Sequence, residues 1–157
     1  MTLDIWDIAK FLLATVSPIS ELRGGIPLGI RLGLLPWSVF LIAVVVNALI
    51  FFPIFFVLPL LHDKFLTRIP LFDKYLDSLR KRGEPKVDKY GFWGLLFFVA
   101  VPLPLTGVYT ATILAWLLEM DWRRAFPPIA IGVVIAGVIV LLSYLGVVEI
   151  INIFVKN

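Results

Sequence analysis

The sequence predicts an all-α integral membrane protein made of two inverted repeats. In each repeat a re-entrant helical hairpin precedes one full transmembrane helix, and an amphipathic cytoplasmic linker helix joins the two. Three observations predict this: charge-free stretches of spanning length, a segment order that occurs twice, and basic residues gathered between the two occurrences. Hydrophobic residues make up 61% of the 157 positions and the mean hydropathy is +1.01, against roughly 45–50% apolar residues in a soluble domain. The excess is concentrated: no charged residue occurs over residues 32–61, 91–118 or 125–148. About 20 apolar residues cross the hydrocarbon core of a bilayer, and each run is longer.

Residues 5–16 and 90–101 are short apolar segments of 12 residues each. At 1.5 Å per residue each helix would be about 18 Å long, short of the ~30 Å hydrocarbon core. Both lead into stretches rich in proline and small residues, 17–37 and 102–122, where Pro and Gly interrupt regular helix. Irregular backbone at membrane depth survives only inside protein or beside a watery cavity. A helix that enters, breaks and returns to the same side satisfies that constraint. Residues 38–61 and 123–146 are then the full crossings. Aligning the broken stretches through Trp37 and Trp122 also superposes Leu32 on Leu117. The whole chain is one membrane domain, with one repeat over 4–61, the linker over 62–89 and the second repeat over 90–150. Such internal repeats are a common plan in transporters, with irregular backbone near the midplane.

Eight of the 14 basic residues lie between His62 and Tyr90. If the second hairpin is re-entrant, Arg123 and Arg124 join them on one face, which the positive-inside bias makes cytoplasmic. Both termini are then outside. No basic face exists beyond the membrane flanks, so nucleic acid is not an expected partner; membrane lipids are. In the linker, Leu71, Phe72, Tyr75, Leu76 and Leu79 follow helical spacing, which predicts an amphipathic helix lying on the headgroups. Asp4 and Asp7 occupy the place where a removable signal peptide would be basic.

The candidate site begins at Glu21-Leu22-Arg23-Gly24-Gly25-Ile26-Pro27. A carboxylate and a guanidinium inside an apolar segment must pair or face a cavity. Two residues apart they do not share a helix face, and Gly24 with Gly25 permits a sharp turn, so the motif is expected at a loop tip. Glu21 could bind and release protons; Arg23 could hold an ion or a headgroup; the bland alternative is a structural pair. Arg31, at the end of the same stretch, either contributes or reaches the interface. The second hairpin offers Pro104, Thr106, Gly107, Tyr109 and Thr110, hydroxyl and backbone groups without charge, while Thr112 fits a hydroxyl bonded back to its own helix. Asn47 fits an interhelical hydrogen bond better than a substrate contact. Glu119 and Asp121 sit with Arg123 and Arg124 where interfacial pairing is expected, although one acid could stand at a proton entry.

Enzyme chemistry is not expected. His62 is the sole histidine, cysteine is absent, and no serine accompanies an obvious base. No metal site, ATP-binding motif or dinucleotide fingerprint occurs, and no cofactor is expected.

In SPISELRGGIPLGI and PLPLTGVYTATILAW the chain resembles the small multidrug export proteins, a bacterial and archaeal membrane family, over nearly its full length. That family in turn resembles, distantly, the DedA/VTT (SNARE-associated) membrane proteins, associated with lipid scrambling or proton-coupled transport. The resemblance implies opposed re-entrant hairpins in a multi-pass cell-membrane protein. Glu21 matches the acidic position of a DedA-like first hairpin. The second hairpin departs, with Leu105, Thr106 and Tyr109 where DedA proteins carry arginines. The expected function is proton-coupled export of small amphipathic, drug-like or lipid-like compounds by a secondary transporter. The rivals are a lipid scramblase or carrier-lipid phosphate flippase, and a non-transporting scaffold or assembly factor. A chain this small is compatible with a homodimer.

Overall fold

The computed structural model describes residues 4–64, 91–102 and 106–155. Those residues form six helices: α1 (Ile5–Val16), α2 (Glu21–Arg31), α3 (Pro36–Lys64), α4 (Phe92–Ala100), α5 (Val108–Leu117) and α6 (Trp122–Val155). No strand occurs among them. The linker helix expected over residues 69–85 and the candidate Pro104 lie outside the described residues. The order short helix, short helix, long helix occurs twice; the sequence predicts short apolar, broken, long apolar, and α2 and α5 form within the stretches expected to be broken. α3 begins on Pro36, whose missing N–H is no loss in a first helical turn.

Two stretches have the length and composition to cross a membrane, Pro36–Leu60 and Trp122–Val148. Only 17% and 28% of their apolar windows are buried. A core helix of a soluble protein would be mostly buried, so these surfaces suit lipid instead. Leu41, Val45, Leu49, Phe56 and Leu60 on α3 are exposed, as are Ile131, Ile135, Ile139 and Leu142 on α6.

The chain forms two compact units. The first holds α1, α2, α3 up to Asn47 and α6 from Val134. Here α1 and α2 pack as a hairpin across the turn at residues 17–20. Gly29 of α2 is wedged between α1 and α3: a Cβ there would meet Phe11 Cδ2 and Val39 Cγ1 at 2.9 Å each. Gly137 of α6 lies against Phe40 and Val44 in the same way. Small residues are what let helix backbones approach this closely.

The second unit holds the rest of α3, then α4, α5 and the first part of α6. Gly132 of α6 abuts Val99 and the Leu96 carbonyl of α4, where a Cβ would sit 2.8 and 2.9 Å away. Phe51 and Phe52 of α3 meet Phe126 of α6 at ring separations of 5.3 and 4.8 Å, and Trp122 closes the stack against Phe52 and Phe56. Offset aromatic pairs at such distances are favourable beyond the area they bury.

The ends of the second helices fix the register between the two occurrences. After α2, Gly33 N–H donates to Ile30 O and Leu34 N–H to Gly29 O. After α5, Glu119 N–H donates to Trp116 O and Met120 N–H to Ala115 O. Both are Schellman caps, which need one residue at positive φ. Gly33 supplies it at +86° and Glu119 at +53°. The first bonds into the long helices, Val39 to Leu35 and Ala125 to Asp121, keep the same spacing. Equivalent positions are therefore 86 apart, and the buried faces agree: Val39, Ala43, Asn47 and Ile50 against Ala125, Ile129, Val133 and Ala136. The tryptophan alignment is one residue out of this register. Trp37 answers to Arg123 and Leu32 to Leu118, because an interfacial tryptophan marks depth in a membrane and not a turn of helix.

Candidate functional site

The first correction concerns the acidic motif. Residues 21–31 form a helix, not a loop tip, and the turn lies earlier, in Ser17-Pro18-Ile19-Ser20. Glu21 N–H donates to Ser17 O at 2.8 Å and Ser20 Oγ donates to the Ala14 carbonyl, which closes that turn without help from glycine. Gly24 and Gly25 serve packing instead of turning. A Cβ on Gly25 would stand 2.3 Å from Thr15 Oγ1 and 3.1 Å from Thr15 Cα. Gly24 faces Ser20, one turn back.

Glu21 opens α2 with φ +48°, a left-handed conformation that costs a non-glycine residue roughly 1–2 kcal/mol. Its side chain is 5% exposed. On the helix it shares a stripe with Gly25 and Gly29, both buried. Arg23 is half-buried, and the Glu21 carboxylate acts on it electrostatically. The two charges are thus coupled although they do not share a face. Pro27 lacks the N–H that would bond the Arg23 carbonyl in a regular helix. Arg31 is exposed in the last turn of α2.

A polar path runs behind this helix, inside the same unit. Thr15, fully buried, donates its hydroxyl to Phe11 O at 2.7 Å. Asn47 of α3, also fully buried, donates to Ala43 O at 2.9 Å and to Thr15 O at 3.4 Å. That second bond is the interhelical contact expected of Asn47. Among the described residues its Oδ1 has no hydrogen-bond partner. The sequence reading missed Thr15 and Ser20. Their partners are set by the hairpin's close approach, which no local pattern announces.

In the other unit, Gly107 is buried and precedes α5. Thr106 Oγ1 donates to Val101 O at 2.8 Å, tying the two ends of the break together. Thr110 and Thr112 donate to Gly107 O and Val108 O at 3.1 and 2.6 Å. The back-bonded arrangement expected for Thr112 therefore extends to Thr110. These hydroxyl protons are committed to backbone carbonyls. Tyr109 is half-buried in the first turn of α5.

Glu119 and Asp121 are exposed outside the hairpin. Asp121 Oδ1 accepts the Arg123 N–H at 2.8 Å and so caps α6, while the Arg123 guanidinium lies 5.4 Å from the Trp122 ring centroid. Those geometries are capping and cation–π contact, a different arrangement from the expected cluster of side-chain ion pairs. A groove of about 270 Å³ lined by Pro53, Ile54, Val57 and Leu58 of α3 is apolar throughout. No group of three or more candidate metal ligands occurs among the described residues.

Two long lipid-facing helices and a hairpin carrying a buried carboxylate define a helical membrane protein with a polar site in its apolar part. The family described as Putative small multi-drug export protein matches residues 21–139, and the chain belongs to that family. No curated protein and no solved structure matches it. The comparisons do not carry the likeness to the DedA proteins. The family match begins on Glu21 itself and spans both hairpin-to-helix junctions.

Proposed function

We propose that the chain is a multi-pass secondary exporter of the cell membrane of a bacterium or archaeon, in which a proton gradient drives small amphipathic compounds outward and Glu21 carries the proton. The observation that carries this reading is the burial of Glu21 at the start of a helix too short to cross a bilayer. A carboxylate held away from water is stabilised by its guanidinium neighbour and opposed by desolvation, and those opposed effects let protonation respond to the local surroundings. An ionisable residue within a membrane domain is by default a functional one. The family match supports export as the class of function. The repeated order and matching caps support a repeat; with each hairpin re-entrant, the single crossing in each half gives the two halves opposite orientation. In that reading α2 and α5 enter from opposite faces, and one acid serves the molecule because residues 91–118 hold no charge.

The experiment is flux in vesicles reconstituted with the full chain, under an imposed pH gradient, for one anionic and one cationic amphiphile, cholate and ethidium. Gradient-driven movement of either probe, lost in Glu21→Gln, is the expected result. Flux equal in the parent and Glu21→Gln overturns the coupling. Movement of fluorescent phospholipid without any gradient would instead identify a scramblase.

A further inference from the structure

On the same proposed reading, we infer that Asn47 is the partner of the proton on Glu21: the neutral carboxyl donates its O–H to Asn47 Oδ1, an acceptor that the ionised carboxylate cannot serve. The placement follows from the helices that meet at Gly29. A Cβ there would meet Phe11 of α1 and Val39 of α3 at 2.9 Å each, and one on Gly25 would meet Thr15 of α1. Asn47 Nδ2 donates to Thr15 O. Along α1 from Phe11 to Thr15, α2 therefore runs backwards, from Gly29 to Gly25, and α3 runs forwards, from Val39 towards Asn47. Glu21 stands eight residues before Gly29 and Asn47 eight after Val39, each about 12 Å along its axis in the same direction. The two residues are thus at one level of this unit. Glu21, Gly25 and Gly29 form one buried stripe of α2, and Val39, Ala43 and Asn47 form one of α3. A level below them, Gly25 and Ala43 are small enough to let the helices approach.

The bonding of Asn47 selects the kind of partner. Its amide protons go to Ala43 O and Thr15 O. A flipped amide would set its oxygen against two carbonyls, so Oδ1 is fixed as an acceptor. It is buried and has no hydrogen-bond partner among the described residues, and an orphaned buried acceptor calls for a reason. The hydroxyls of the hairpin are spent, Thr15 on Phe11 O and Ser20 on Ala14 O. A carboxylate only accepts, whereas a carboxylic acid carries one donor. Protonation of Glu21 thus creates the donor that Oδ1 lacks. The proton arrives from water and returns to water; while on Glu21 it forms one O–H bond and is shared with Oδ1 without leaving the carboxyl. Arg23 acts on the ionised form and Asn47 on the neutral one, so each state has its own partner. Asn47 is in this sense a positioning residue.

The other titratable groups of the unit stand at other levels. On α1, Asp7 pairs with Lys10 at 2.9 Å, more than one turn before Thr15, and Asp4 precedes the helix. Arg31 closes the far end of α2. α3 carries no charge before residue 62. α6 runs against α3, with Phe126 beside Phe51 and Gly137 beside Phe40, so Tyr144 and Glu149 lie towards the start of α3.

The test is infrared difference spectroscopy of the full-length protein in phosphatidylcholine nanodiscs, titrated between about pH 4 and 10. The carboxyl C=O band that grows on acidification and is missing in Glu21→Gln reports neutral Glu21. Asn47→Leu should move that band to higher frequency, because the carboxyl O–H loses its acceptor. It should also lower the pH midpoint of the band by about one unit, the net worth of one hydrogen bond. Asn47→Gln, which keeps an amide oxygen on a longer arm, should restore part of both shifts. A purely structural amide would move stability and leave frequency and midpoint alone. The inference is overturned if the Glu21 band keeps its frequency in Asn47→Leu or if its midpoint does not fall. That result leaves Glu21 as the proton carrier and removes only Asn47, whereas a parent protein with no such band anywhere in the titration removes both.

Discussion

Among the described residues, Glu21 and Asn47 are buried polar side chains whose cost must be met by function or by partners. For Glu21 the substitutions separate the roles. Glu21→Gln keeps the size and a hydrogen-bonding amide, so thermal unfolding in detergent should stay close to the parent. Glu21→Ala leaves Arg23 without the carboxylate that acts on it. Breaking a fully buried pair costs about 3–5 kcal/mol, and the partial exposure of Arg23 places the loss below that range. A melting temperature for Glu21→Ala equal to that of Glu21→Gln would show that the pair is not structural. For Asn47, two donated bonds are set against an acceptor with no partner. Interhelical hydrogen bonds in membranes average about 0.6 kcal/mol, while an unsatisfied buried acceptor costs about 1–3 kcal/mol. Asn47→Leu should therefore leave stability within about 1 kcal/mol of the parent or raise it. A loss of more than about 2 kcal/mol would mean that Oδ1 has a partner in the membrane, because removing a paired buried group carries such a cost.

At the scale of the helices, packing between α1 and α2 rests on Gly25 against Thr15. Gly25→Ala places a methyl into the Thr15 hydroxyl and backbone, an overpacking that costs about 1–3 kcal/mol. Thr15→Ala should relieve part of it, and a double-mutant cycle in detergent melts should report that coupling. Strict additivity would contradict the contact. The matched caps give a second test. Glu119 holds the left-handed position that Gly33 fills in the first half, so Glu119→Gly should stabilise by about 1 kcal/mol and Gly33→Ala should destabilise by at least as much. No change in the melting temperature of either would mean that the caps are not equivalent. The helices themselves were legible in the sequence: the 12-residue helix at 5–16 and the two long apolar spans follow from length and apolar composition. What was not legible is why Gly24 and Gly25 occur. A glycine pair reads as a turn when neighbours are unknown, and only the hairpin's non-local contact makes it a packing surface.

At the scale of the whole molecule, the repeated order of segments was legible because apolar length and proline content survive without letter identity. The register was not, since tryptophans mark the interface and slip by a residue relative to the caps. Among the site residues, the burial of Glu21 was foreseeable from the cost of a charge in an apolar segment, while the back-bonding of Thr110 was not, because a hydroxyl's choice between backbone and ligand depends on the local turn. The re-entrant reading makes a topological prediction: cysteines introduced at Asp4 and at Ser38 should react with an impermeant reagent from the same side. Labelling from opposite sides would make the first hairpin a full crossing.

The most direct test of proton-driven export uses the reciprocity that any coupling free energy obeys. If a proton gradient moves the exported compound, a gradient of that compound must move protons. Vesicles holding the full chain and a trapped pH indicator, with no imposed pH difference, receive an outward gradient of cholate or ethidium. The account predicts a proton flux with the parent protein, above that of protein-free vesicles, and none above that background with Glu21→Gln. Compound movement without proton movement, or an equal proton flux in Glu21→Gln, would contradict it.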